Sequence, residues 1–309
     1  MIVVPDDFPS VFEGSDAHAR AKKLGDVRVF SERGAENEVE LARRLAENPV
    51  ALNIRAYSRF SNVVFERCPT LRLVAIWGTG TDNVDLAAAS RHGVTVCNTP
   101  GVNAFAVAEH AVALMLAVAR KLPQIDREMR SGAWPREMLA QLSGKTLAVF
   151  GTGAIGTRVA ELARAFGMTV LTWSARRNTQ AEKRDMLGRA EIITLHLRLA
   201  PETQEFIGAA EFSLMKRGAI LVNTGRGALV GRDALHAALA GGTLAGAGLD
   251  VFHDEPLKPG DPLLGFSNTV LSPHNAGQTA EVRRDGLLKV IENVERFLAG
   301  TPVNVVLPG

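Results

Sequence analysis

Two cysteines in 309 residues, Cys68 and Cys97, are too few for a disulfide framework, and both sit in or beside apolar segments where small buried thiols are the expectation. Such usage suits a reducing cytoplasm. An excess of one charge is lacking as well. The 35 Lys and Arg against 33 Asp and Glu leave a net charge of +2, with the signs interspersed, so neither a nucleic-acid face nor a membrane-binding stripe is expected. No apolar run is long enough for a membrane span: the most apolar window, residues 104–119, contains Glu109 and His110. The opening Met1-Ile2-Val3-Val4-Pro5 meets Asp6-Asp7 too soon to read as a signal peptide. The seven histidines form no H-x-x-x-H pair and have no cysteine neighbour, which argues against a metal site.

What is present is enough apolar material, 46% of the chain, for two cores. The first hundred residues alternate short β-branched runs (Ile2–Val4, Val27–Phe30, Val50–Ile54, Leu73–Ile76, Val94–Cys97) with helical patterns, the signature of a parallel sheet wrapped by helices. A long helix is predicted from Ala104 to Arg130, with Ala111, Leu114, Met115 and Val118 on one face. A second strand series follows: Thr146–Phe150, Thr169–Trp173, Glu191–Leu195, Ala219–Asn223, Ala247–Val251 and Thr269–Ser272. The final helix, about Thr279 to Leu298, needs another apolar surface, and the 301–307 tail is expected to return to the first sheet. These patterns predict a discontinuous domain, residues 1–99 with 279–309, and a second domain, 100–278, inserted into it.

The most informative stretch is Val149-Phe150-Gly151-Thr152-Gly153-Ala154-Ile155-Gly156, an apolar strand ending in G-x-G-x-x-G and opening a helix. Its glycines let backbone approach a pyrophosphate that the helix N-terminus binds, so Gly151, Gly153, Ala154, Ile155 and Gly156 are candidate dinucleotide contacts. Further on, three predicted strands end in polar groups: Asn223-Thr224-Gly225-Arg226-Gly227, then Asp250 to Pro256, then Ser272-Pro273-His274-Asn275-Ala276-Gly277. Taken singly, Arg226, Glu255 and His274 are ordinary loop residues. In a parallel sheet, however, those ends share one edge, and such an edge is where ligands bind.

With these motifs in this order, together with Gly78-Thr79-Gly80-Thr81-Asp82-Asn83-Val84-Asp85 and Val107-Ala108-Glu109-His110, nearly the whole chain resembles the D-isomer-specific 2-hydroxyacid dehydrogenases. The resemblance implies an α/β fold of two Rossmann-like parallel-sheet domains, the nucleotide-binding one inserted in a flavodoxin-like substrate domain. It places the catalytic arginine on Arg226, the acid partner on Glu255 and the acid/base histidine on His274. Arg226 offers a fork of donors to a carboxylate and a developing oxyanion, and His274 can exchange a proton near neutrality. By the same likeness His196, Thr224 and Gly277 border the cofactor, and Asp250 accepts from the nicotinamide amide. The N–H groups of Thr79 and Gly80 read as a small anion nest for a substrate carboxylate, with Arg55 and Ser58 nearby. His110, on an apolar helix, reads as a satisfied core histidine.

Two departures from the family pattern stand out. Where an NAD-preferring site has an acid about 20 residues past the glycine loop, this chain has Ser174, then Arg176 and Arg177, which favours NADP with NAD still possible. The segment between Trp173 and Glu191 also has room only for a short helix, about Thr179 to Leu187, where the family fits a helix and a further strand. The expected activity is reduction of a small 2-oxoacid, glyoxylate or hydroxypyruvate. The alternatives are a biosynthetic dehydrogenase of 3-phosphoglycerate type, for which no regulatory domain follows Gly309, and a dinucleotide-sensing corepressor-like protein. The apolar face of the 104–130 helix leads to the expectation of a homodimer.

Overall fold

The computed structural model describes residues 1–55 and 57–308. In chain order the first elements are β1 (Ile2–Val4), α1 (Asp16–Ala21), β2 (Val27–Val29), α2 (Glu38–Leu45), β3 (Val50–Asn53), α3 (Asn62–Arg67), β4 (Leu73–Ile76), α4 (Leu86–Arg91) and β5 (Thr95–Cys97). Next come α5 (Ala104–Ala119), α6 (Leu122–Arg130), β6 (Thr146–Phe150), α7 (Ala154–Ala165), β7 (Thr169–Trp173), α8 (Gln180–Arg189), β8 (Ile192–Leu195), α9 (Ala209–Leu214) and β9 (Ala219–Asn223). The series closes with α10 (Arg232–Ala240), β10 (Leu244–Leu249), β11 (Thr269–Leu271) and α11 (Ala280–Leu298). The chain divides into two compact units, Met1–Asn103 with Gln278–Gly309, and Ala104–Gly277.

The first unit holds a five-stranded parallel sheet in the order β2-β1-β3-β4-β5, a flavodoxin-like arrangement. The last helix finds its apolar surface here: Leu287, Val290, Ile291 and Val294 of α11 are buried with Val50, Leu52, Leu73 and Ala75. The tail also returns, with Val305 bridging Cys97 in antiparallel fashion and Val306 N–H donating to the Val96 carbonyl at 2.8 Å.

The second unit holds six parallel strands in the order β11-β10-β9-β8-β6-β7. Its strands are apolar on both faces because helices cover both. Ala148 and Phe150 face one cluster while Leu147 and Val149 face the other, the period of two that a strand imposes. The sheet ends at β7, and the short segment after it forms α8 alone. Lys183 of α8 is buried, donating to the Phe206 carbonyl at 2.7 Å and to Glu211 at 2.9 Å, which ties this helix to the unit.

Two expectations are corrected. The 104–130 helix is broken: Lys121 adopts a left-handed backbone (φ 48°) between α5 and α6. Pro123 explains the break, since its ring would clash with the Ala119 carbonyl and it has no N–H to donate there; it sits instead in the first turn of α6. The face carrying Ala111, Leu114 and Met115 is buried within the unit rather than left for a partner. Between residues 104 and 140 the large apolar side chains left in solvent are Phe105, Leu122, Met129, Trp134 and Met138, the last 98% exposed.

Candidate active site

The glycine loop lies at the C-terminal end of β6, where strand order reverses between β6 and β8. Gly151 has φ 102°, and a Cβ there would stand 2.4 Å from the His196 carbonyl oxygen. A Cβ on Gly156 would meet the Gly151 oxygen at 1.8 Å, so only glycine lets α7 start so close to its strand. Gly153 differs, because a Cβ there would meet nothing within 4 Å: its space is open. No side chain caps the N-terminus of α7, so the first-turn N–H groups of Ala154 and Ile155 are left for an anion. A dinucleotide pyrophosphate fits this cradle.

Beside the loop, Gly151 N–H donates to the Trp173 carbonyl at 2.8 Å, which fixes the end of β7. Ser174 then opens a tight turn: its carbonyl accepts from Arg177 and Asn178, and its N–H donates to Asn178 Oδ1 at 2.9 Å. Arg176 and Arg177 are exposed on that turn and form no ion pair among the described residues. His196 follows β8, with Nε2 2.9 Å from Thr194 Oγ1 and Nδ1 3.4 Å from Thr224 Oγ1. Burial pushes its pKa down to about 4, so the ring is neutral at physiological pH.

Three neighbouring strand ends carry the remaining groups. After β9, Asn223 Nδ2 donates to the Arg226 carbonyl at 2.8 Å, and Arg226 Nη1 donates to the Gly225 carbonyl at 2.8 Å. Gly227 lies so close to the next loop that a Cβ would meet the Phe252 carbonyl carbon at 2.1 Å, which presses the arginine loop against the segment bearing Glu255. Glu255 Oε2 lies 2.6 Å from His274 Nδ1, while Oε1 accepts the Phe252 N–H at 2.9 Å. Burial opposes ionisation of Glu255. The bonds from His274 and Phe252, with the charges of His274 and Arg226, outweigh it and hold the carboxyl below its usual range. The His274 side chain stays 41% exposed, open to a substrate. An apolar cavity of about 360 Å³ lined by Phe252, Pro256, Leu257, Leu264 and Leu271 adjoins the Glu255–His274 pair.

Asp250 is 1% exposed, and its carboxylate is largely engaged by protein donors: Ser272 Oγ at 2.6 Å and the N–H groups of Asn275 and Ala276 at 3.0 Å each. These bonds hold the 272–276 segment and leave one acceptor position on Oδ2. His110 is likewise more than a core histidine. It is half-buried, with Nε2 2.8 Å from Ser272 Oγ and 3.5 Å from Asp250 Oδ1. No local pattern pointed to this link, since its partners are more than 130 residues away. Gly277 is the last residue of the unit.

The residues expected to contact substrate from the first sheet lie in the other unit. Arg55 donates to the Pro9 carbonyl, and its Nε is buried without a partner; Ser58 is 1% exposed, with its Oγ also unpartnered among the described residues. The N–H groups of Thr79 and Gly80 make no hydrogen bond to protein among the described residues.

Residues 112–276 match the model of the D-isomer-specific 2-hydroxyacid dehydrogenase NAD-binding domain. A glyoxylate reductase of Aeropyrum pernix is 44% identical over 262 residues, 79% of this chain and 78% of the relative. The chain belongs to the D-isomer-specific 2-hydroxyacid dehydrogenases. A D-3-phosphoglycerate dehydrogenase of Archaeoglobus fulgidus is 37% identical over 82% of this chain, which spans only 50% of that longer relative. Among solved structures, an acyclic imino acid reductase in complex with NADPH and D-Arg superposes with a TM-score of 0.91 at 30% identity, covering 99% of both chains. The enzyme is thus an oxidoreductase with a nicotinamide dinucleotide cofactor. Among the described residues, no helix is long and apolar enough to cross a membrane.

Proposed function

We propose that this enzyme reduces a small 2-oxoacid, glyoxylate or hydroxypyruvate, to the D-2-hydroxyacid with NADPH. The observation that carries the reading is the 2.6 Å contact between Glu255 and His274 Nδ1, with Arg226 on the adjoining strand end. Glu255 accepts at Nδ1, which orients the ring and leaves Nε2 to give its proton to the carbonyl oxygen. Arg226 holds the substrate carboxylate and polarises the carbonyl as negative charge develops on its oxygen. The bound nicotinamide supplies the hydride that adds to C2. In the first unit, the free N–H groups of Thr79 and Gly80 and the side chains of Arg55 and Ser58 are assigned to the carboxylate end of the substrate. Arg176 and Arg177 are assigned to the 2′-phosphate, and Asp250 Oδ2 to the nicotinamide amide.

The protein acts as a homodimer, its contact surface supplied by Phe105, Leu122, Met129, Trp134 and Met138 rather than by the buried face of α5. Both cysteines are free and buried, which pushes each thiol up to about 11 and suits the cytoplasm. A substrate carrying a further anion is the second reading, favoured by the buried, unpartnered Nε of Arg55. A panel of glyoxylate, hydroxypyruvate, 3-phosphohydroxypyruvate and pyruvate, followed at 340 nm with each reduced cofactor, tests the activity and the cofactor. We expect turnover of the small 2-oxoacids, and a loss of about a hundredfold to ten-thousandfold in His274→Ala with cofactor binding intact. Absence of turnover, or a His274→Ala variant with more than half of wild-type kcat, refutes the reading.

A further inference from the structure

Helix α5 lies along β10 in a register that the two sequences set. A Cβ added to Gly246 would stand 2.8 Å from Val118 Cγ1, and one added to Gly248 would stand 2.8 Å from Leu114 Cβ. One step further, His110 Nε2 lies 3.5 Å from Asp250 Oδ1. Four residues of helix rise about 6 Å and two residues of strand about 6.6 Å, so positions 118, 114 and 110 track 246, 248 and 250 rung by rung. The glycines allow the close approach, and His110 is thereby delivered to the end of the strand.

There it meets a segment wound around one residue. Each N–H from His274 to Ala276 donates to Asp250: His274 to its backbone carbonyl at 2.8 Å, Asn275 to Oδ1 and Ala276 to Oδ2 at 3.0 Å each. His274 itself holds φ 51°, a left-handed backbone uncommon for a side-chain-bearing residue and here backed by these bonds. Ser272 Oγ completes the cage with its 2.6 Å bond to Asp250 Oδ1. An ionised carboxylate only accepts, so the single hydroxyl proton of Ser272 goes to Asp250, and the 2.8 Å contact with His110 requires Nε2 of that ring to be the donor.

We propose that His110 is a positioning residue for His274, acting through Ser272 and Asp250. It donates from Nε2 to Ser272, which fixes the hydroxyl on Asp250 and so the cage that holds His274 in its left-handed backbone. This rests on the role of His274 in reduction proposed above. Displacement of a proton donor by about 1 Å costs up to a hundredfold in rate. His110→Leu and Ser272→Ala are therefore expected to lower kcat about ten- to hundredfold with KM and Tm close to wild type. His110→Gln, which keeps a donor, and Ser272→Thr, which keeps the hydroxyl, are expected to restore most of the rate.

Histidine NMR reads the same claim without turnover. The His274 ring signal, assigned by its loss in His274→Ala, should move in His110→Leu and Ser272→Ala and return in the two conservative variants. Nitrogen shifts, taken where the rings are neutral, should show His110 protonated on Nε2. Wild-type kcat in both disruptive variants, an unmoved His274 signal, or an Nδ1-protonated His110 overturns the proposal. Failure of the wild-type protein to reduce any 2-oxoacid refutes the functional reading instead, and the NMR arms still decide the positioning.

Discussion

Removing Arg176 and Arg177 together is the perturbation that bears most directly on cofactor choice. Both guanidinium groups are exposed on the 174–178 turn and free of ion pairs among the described residues, and the turn is fixed to the glycine loop through the Gly151–Trp173 bond. A 2′-phosphate carries about −1.5 to −2 charges and three acceptor oxygens, by analogy with phosphorylated side chains. Hydrogen bonds to charged groups contribute about 1.5–3 kcal/mol when sheltered, but exposed ion pairs contribute about 0.2–1 kcal/mol each. Two exposed arginines therefore supply about 0.4–2 kcal/mol. At 1.4 kcal/mol per factor of ten, this is about a 2- to 30-fold preference for NADPH in kcat/KM.

The assay is initial-rate reduction of glyoxylate with NADPH and with NADH, at low and at high salt. Arg176→Ala with Arg177→Ala should erase most of the preference, through the NADPH value. Salt should shrink the wild-type preference because exposed pairs are screened over about 10 Å at 0.1 M. Ser174→Asp with Arg176→Ala should reverse the preference, since an acid accepts from the 2′-hydroxyl and repels the phosphate. An unmodified enzyme that prefers NADH, or a double alanine variant that loses equally with both cofactors, refutes the argument.

Two further outcomes follow from the same geometry. Glu255 is held below its usual range in the folded protein, so its support of His274 is full above the ordinary carboxylate range and is lost as pH falls through the lowered value. Activity of the wild type should therefore persist further into acid than that of Glu255→Gln, whose rate should be depressed across the whole range; superimposable pH profiles would remove Glu255 from this role. Light scattering at micromolar concentration should give a dimer mass, and Trp134→Glu with Met138→Glu should shift it toward the monomer; a monomeric wild type rules the assembly out.

The strands were legible because parallel strands covered on both faces must be short apolar runs, and Leu147 to Phe150 or Leu221 to Asn223 have little alternative. The glycine loop and the Arg226, Glu255 and His274 segments were legible for a related reason, since each ends a strand and a parallel sheet aligns such ends. The break at Lys121 was obscured by apolar continuity through Leu122, although Pro123 signalled it. What stayed hidden depended on pairing across the fold. That α5 would cover β10, rather than project its Leu114 face outward, is decided by Gly246 and Gly248, and nothing local ties those glycines to a helix more than 120 residues earlier. The partners of His110 stayed hidden for the same reason, because Ser272 and Asp250 lie more than 130 residues further along the chain.

The rungs between α5 and β10 restrict how this part of the enzyme can vary among descendants. A methyl group at position 248 has no room beside Leu114, so a larger residue on the strand is tolerated only with a smaller one on the helix, and the same exchange binds 246 to 118. Position 110 is bound to 250 and 272 by hydrogen bonds rather than by volume. Substitutions at these positions should therefore be inherited in pairs. A strand glycine then governs the sequence neighbourhood of His274 as firmly as the residues that touch it.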